Sequence, residues 1–217
     1  LGESYVNFRP MNKYMFLIAF LLLSLTSALG LELKSGDVLL ISFNCYECRV
    51  IESETNSPFS HSGVIVKNED NEIRVAQSLG FVALYPMDQF LKKRTPGTTT
   101  AVYRPKEFLD LGATEQKKLD QKMLATFNSV FKGAPFDVRY IWDNFDSEGR
   151  ELLYCSEFIA KFLDIFLNAP TIPYPLTYKK NEAYWFKYFK GDIPDGVLGN
   201  SPASFSNDER FIFVGNL

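Results

Sequence analysis

The chain has 217 residues, of which 46% are hydrophobic and 23% charged, with a formal net charge of -3. That composition supports one sizeable core, and no internal repeat or long linker divides it. The scattered Lys and Arg form no basic face, which argues against a nucleic-acid partner.

Lys13 precedes an apolar run from Met15 to Leu25 that ends in the small residues Ser27-Ala28-Leu29-Gly30. The run is short of the roughly 20 residues a bilayer span needs, so residues 11–30 read as a cleaved secretory signal peptide with Met11 as initiator. Residues 1–10 are then upstream or remnant sequence, and 31–217 a single domain, exported to a periplasm or secreted. Export implies an oxidising compartment. Cys45 and Cys48 form a Cys-x-x-Cys pair, which leaves Cys155 odd. An unpaired thiol in an exported protein is a reactive nucleophile or an intermolecular link. A zinc set of the three cysteines with His61 is the alternative, but it lacks the second half of the paired-knuckle spacing. No metal and no cofactor are expected.

Gly36-Asp37 leads into an apolar run, Val38 to Phe43, short enough for a buried strand. A polar stretch then passes Cys48 and Asn56-Ser57-Pro58 to His61. Val64–Val66 and Ile73–Gln77 flank a turn at Asn68–Asn71 and predict a β-hairpin. If Lys67 pairs with Glu72, Gln77 falls opposite Ser62; a shift of one residue puts it opposite His61. Pro86–Leu91 predicts a short helix, Pro96-Gly97 a turn, and Thr98–Tyr103 a strand. From Thr114 the spacing of Leu119, Met123, Phe127, Val130 and Phe131 predicts an amphipathic helix that stops at Gly133. A second helix runs from about Ser156 to Asn168, with a stripe of Phe158, Ile159, Phe162, Leu163 and Phe166. Tyr174, Tyr178, Tyr184, Trp185, Tyr188 and Phe189 follow, either as packing or as a platform for a sugar, peptide or acyl chain. Arg210–Val214 predicts a final edge strand.

His61, the only histidine, lies in Ser-His-Ser-Gly, and Cys155 opens the second helix in Tyr-Cys-Ser-Glu. Each has a bland structural reading by itself. Together they supply the thiol and imidazole that cysteine acyl transfer requires. The helix dipole and an imidazolium would favour the thiolate, so a thiolate–imidazolium resting pair is expected. Gln77 would orient the ring, and the Cys155 N–H would bind the oxyanion. Glu157 reads as support for the helix N-terminus, Asp37 as a turn or cap, and Asp137 as an organiser of the loop before Cys155.

Ser35-Gly36-Asp37-Val38-Leu39-Leu40, Ser60-His61-Ser62-Gly63, Gln77, Pro86-Met87-Asp88-Gln89-Phe90, Pro135-Phe136-Asp137 and Tyr154-Cys155-Ser156-Glu157 occur in that order. This resembles the YiiX-like permuted members of the NlpC-type cysteine hydrolases, in which His precedes Cys. The resemblance implies a circularly permuted papain-like α+β fold, a small antiparallel sheet or barrel packed against helices. It also implies Cys155 as nucleophile and His61 as base, with Gln77 standing where such proteins often carry Glu. The expected activity is amidase or peptidase cleavage of a cell-wall peptide or an acylated amine, with possible cell-wall or membrane-surface association. A lipid acyl hydrolase or acyltransferase, and a noncatalytic binding or thiol-redox protein, are the alternatives.

Overall fold

Val38–Ile41 forms the strand β1, all four residues without solvent exposure, as a continuous apolar run demands of a strand covered on both faces. In the computed structural model, which describes residues 31–217, β1 lies inside a six-stranded antiparallel sheet. The other strands are β2 (His61–Lys67), β3 (Ile73–Leu79), β4 (Phe81–Pro86), β5 (Ala101–Pro105) and β10 (Phe211–Asn216), in the order β10-β5-β1-β2-β3-β4. Short ladders add β6 (Asn144–Phe145) with β7 (Glu151–Leu152), and β8 (Tyr174–Pro175) with β9 (Leu198–Gly199). Leu33–Leu217 forms one compact unit. The sheet is open, so of the two architectures expected, sheet or barrel, it is the sheet. Residues 1–10 and the segment read as a signal, 11–30, lie outside the described residues.

Two helices cover the face that presents Val38, Leu40, Val64, Val66 and Ala76: α3 (Ala113–Thr126), extended by a wide turn over Phe127–Phe131, and α4 (Cys155–Asp164). Phe158 and Phe162 of α4 meet Phe131 edge-on at 5.6 and 5.7 Å. Full burial of each such ring contributes on the order of 2–3 kcal/mol, which fixes α4 against the sheet despite its modest length. The opposite face carries Leu39, Ile41, Ile65 and Val75, with Phe90 of α2 (Met87–Leu91) packed close to Gly63. A Cβ at Gly63 would meet Val75 at 2.3 Å, so the residue two positions after His61 must be glycine.

The polar stretch before His61 is not a loop but a helix, α1 (Tyr46–Thr55). Its start is set by Cys45, extended and accepting the Cys48 N–H at 3.1 Å, and its end by Asn56 in the left-handed region. Only Cys48 and Val50 of α1 are buried, too few to print a helical period on the sequence. The aromatic tail holds α5 (Glu182–Tyr188), and α6 (Pro202–Asn207) opens with a Ser201–Ser204 capping box. Predicted strand and helix ends shift by a few residues: β5 begins at Ala101, α4 ends at Asp164, and β10 runs on to Asn216.

Asp37 and Arg104 tie β1 to β5 from within. Both guanidinium-to-carboxylate contacts are short, 2.6 and 2.8 Å, and Asp37 also accepts the Lys34 N–H at 2.8 Å, which closes the turn into β1. Replacing Asp37 by Ala strands a buried guanidinium. Urea unfolding of Asp37→Ala is expected to show a loss of about 3–5 kcal/mol, whereas a variant with both groups replaced by apolar residues recovers much of it.

Candidate active site

β2 and β3 pair from Lys67↔Ile73 to Val64↔Ala76 and no further, although β2 stays paired with β1 down to His61↔Ile41. The N-terminal end of α4 is anchored at this opening, where the Ser78 hydroxyl donates to the Leu153 carbonyl at 2.5 Å. Ser62, which continued pairing would set opposite Ser78, instead turns its N–H and hydroxyl toward Cys155. Ser156 adds its own N–H and hydroxyl, and neither hydroxyl has another hydrogen-bond partner. Burial pushes the Cys155 thiol up, and these donors from Ser62 and Ser156 oppose it. Cys155 is the free cysteine of the structure.

His61 is buried beside the rings of Phe43 and Phe90, with centroids at 4.5 and 6.0 Å. Its Nε2 lies 2.6 Å from Gln77 Oε1. An amide oxygen only accepts, so Nε2 carries the proton and Nδ1 keeps its lone pair for the thiol proton. Burial lowers the His61 pKa to about 4, and the Gln77 contact opposes that in part. The expected register is off by one: with Lys67 opposite Ile73, Gln77 stands diagonal to His61 on the same face, a distance its long side chain spans. The expected ion pair is also corrected. Desolvation outweighs the donors at both groups, so burial favours thiol and imidazole over thiolate and imidazolium.

Cys155 stands where two cavities meet. One, about 200 Å³, is shared with His61 and bordered by Phe43, Glu47, Phe136, Tyr140 and Tyr188. The other is an apolar slot of about 70 Å³ between Ile51, Leu176 and Trp185, without His61. The slot continues past Thr177 and Asn200 into an open vestibule of about 650 Å³.

Residues 32–215 match the family model of the permuted papain-like amidase enzymes, YaeF/YiiX, C92 family. The chain belongs to this family. The members are cysteine hydrolases of amidase or peptidase type, and the His-before-Cys order of the sequence is that of a permuted papain-like amidase. The fold is similar to the crystal structure of metalloprotein yiiX from Escherichia coli O157:H7, with a TM-score of 0.69 and 20% identity, covering 85% of this chain and 97% of that one. No curated protein matches the sequence.

The other predicted residues fall as follows in this amidase. Asp137 is fully buried and accepts from the Arg139 and Ile141 N–H groups and from Asn144, so it organises the loop before α4 as expected. Glu157 does not cap α4: it faces Lys161 at 2.9 Å and accepts the Asp143 N–H at 3.0 Å. Burial raises its pKa to about 7, against the pull of Lys161. Asp143, Glu151 and Glu157 are the acidic group close enough to share an ion among the described residues, and the Lys161 ammonium already bridges all three. These residues therefore do not fit a resident metal. The zinc alternative loses two ligands, because Cys45 and Cys48 are joined in a disulfide. The residues that sequence reasoning missed are Ser62 and Ser156 at the thiol and Glu47 and Tyr140 in the cavity. For Ser62 and Ser156 the signal was adjacency to His61 and Cys155.

Because His61 titrates near 4 when folded but near 6.5 in an unfolded chain, the unfolded state binds the extra proton between those values. Stability is then complete above about pH 6.5 and falls as pH drops toward 4, by roughly 3 kcal/mol for this group. Denaturant curves across that window should be steeper in pH for wild type than for His61→Asn; equal slopes would place the imidazole in water.

Proposed function

We propose that the protein is an exported cysteine amidase that hydrolyses an amide in a peptide or a short acylated amine through a Cys155 thioester. The observation that carries this is the His61 Nε2 contact with Gln77 at 2.6 Å, which leaves Nδ1 as the base, in a ring that shares a cavity with Cys155. His61 takes the thiol proton as Sγ attacks the carbonyl carbon, and the Cys155 N–H, at the first position of α4, serves the oxyanion. The imidazolium then protonates the departing nitrogen, the C–N bond breaks, and the thioester remains. Water, deprotonated by His61, attacks the thioester and regenerates the thiol with release of the carboxylic acid.

The slot argues for a short acyl side. At about 70 Å³ it is well below the ~150 Å³ cavity that accommodates a benzene ring, so it suits a small branched aliphatic group and not a long lipid chain. The Cys45–Cys48 disulfide supports the export reading, since such bonds persist in oxidising compartments.

Iodoacetamide labelling with mass-spectrometric mapping tests the assignment. Cys155 should label in wild type and about tenfold more slowly in His61→Ala. With thiol and imidazole neutral at rest, the rate should climb through the alkaline range; a plateau from acidic pH upward would show a preformed ion pair. Cys155→Ala should abolish hydrolysis of small aliphatic acyl amides. Labelling indifferent to His61 would end the hydrolase reading.

A further inference from the structure

The two cavities that meet at Cys155 are not equivalent, because His61 borders one and not the other. A general acid must reach the nitrogen it protonates. On the hydrolase reading above, the amine therefore departs through the His61 cavity, and the acyl side occupies the slot. What lines the amine side then bears on which amines are accepted.

Glu47 enters this cavity from the first turn of α1, between Cys45 and Cys48, so the disulfide fixes its backbone. The carboxylate accepts a hydrogen bond from the Tyr140 hydroxyl, and no Lys or Arg pairs with it among the described residues. It is half-buried among phenols. Tyr140 and Tyr188 stack at 6.1 Å with their hydroxyls 3.5 Å apart, and Phe136 meets Tyr140 edge-on at 6.2 Å. Burial first, and the Glu47 charge after it, raise the pKa of Tyr140, so that phenol stays neutral and only donates. A carboxylate without a cation, surrounded by aromatic faces, is the recognition chemistry of an alkylammonium group.

We propose that this cavity receives the leaving amine, and that Glu47 with the rings of Phe136, Tyr140 and Tyr188 selects amines bearing a second, cationic ammonium group. The reaction is hydrolysis of an N-acyl diamine or an acylated lysine-type side chain. The C–N bond breaks, the nitrogen takes the proton that His61 drew from Cys155, and water supplies the atoms that convert the thioester to a carboxylic acid and free thiol. The distal ammonium is unchanged throughout and serves only to bind.

The test uses 1,5-diaminopentane as probe, read as protection of Cys155 against iodoacetamide, with 1,5-pentanediol as the uncharged counterpart. The diamine should protect wild type and the diol should not. Glu47→Gln should need about tenfold more diamine for the same protection, and added salt should weaken protection in wild type. Tyr140→Phe keeps the carboxylate and the ring but loses the hydroxyl, and should stay protected; equal loss in both variants would mean that Glu47 acts only as a brace. Equal effects of diamine and diol, or an unchanged Glu47→Gln, would also overturn the proposal. His61-dependent labelling in the same experiment keeps this failure apart from failure of the hydrolase reading.

Discussion

The parting of β2 from β3 beyond Val64 and Ala76 is the constraint on which the rest of the site depends. A continued ladder would use the Ser62 N–H to join the two strands. Where it stops, that donor is free for sulfur, and a helix end can be anchored at the edge of a sheet, here through Ser78 and Leu153. β1 keeps hold of His61 from the other side, so the strand that loses one partner does not fray. Catalytic side chains from distant parts of the chain are thus fixed by one interrupted ladder, with α4 held by its phenylalanines on the core below.

Much of this was legible in sequence, for reasons that separate by element. β1 and α4 carry dense apolar patterns because they are buried, and burial writes itself into residue type. His61 and Cys155 stood out through their neighbours and their order. α1 left almost no trace, since its helix is set by caps and a disulfide and shows solvent most of its surface. The hairpin register was missed by one residue because the turn at Asn68–Asn71 gives no unique closing pair; the structure selects it by Asn68 Oδ1, which accepts from the Asp70 and Glu72 N–H groups. Glu47 and Tyr140, far apart in sequence and joined only by the fold, could not have been paired in advance.

The ordering of charge through the site follows from where water is excluded. Asp37 is buried but met by Arg104, and Glu157 by Lys161, so these charges hold structure together. His61 and Cys155 are buried with neutral donors and an amide, which leaves the unreacted pair without a fixed counter-ion. Glu47 is the carboxylate of the cavity that borders them, and it faces the open space.

That distribution gives Gln77 its meaning. A carboxylate at this position would stabilise imidazolium before any substrate arrives, drawing the thiol proton early and raising the His61 pKa toward or above its ordinary value. The amide holds the ring and its tautomer while leaving it a neutral base. Proton transfer from Cys155 is then coupled to attack, when the developing oxyanion and the Ser62 and Ser156 donors share the new negative charge. A thiol kept neutral in this way is a poorer target for adventitious oxidants and electrophiles than a standing thiolate, which suits a nucleophile in a chain whose other two cysteines are already oxidised.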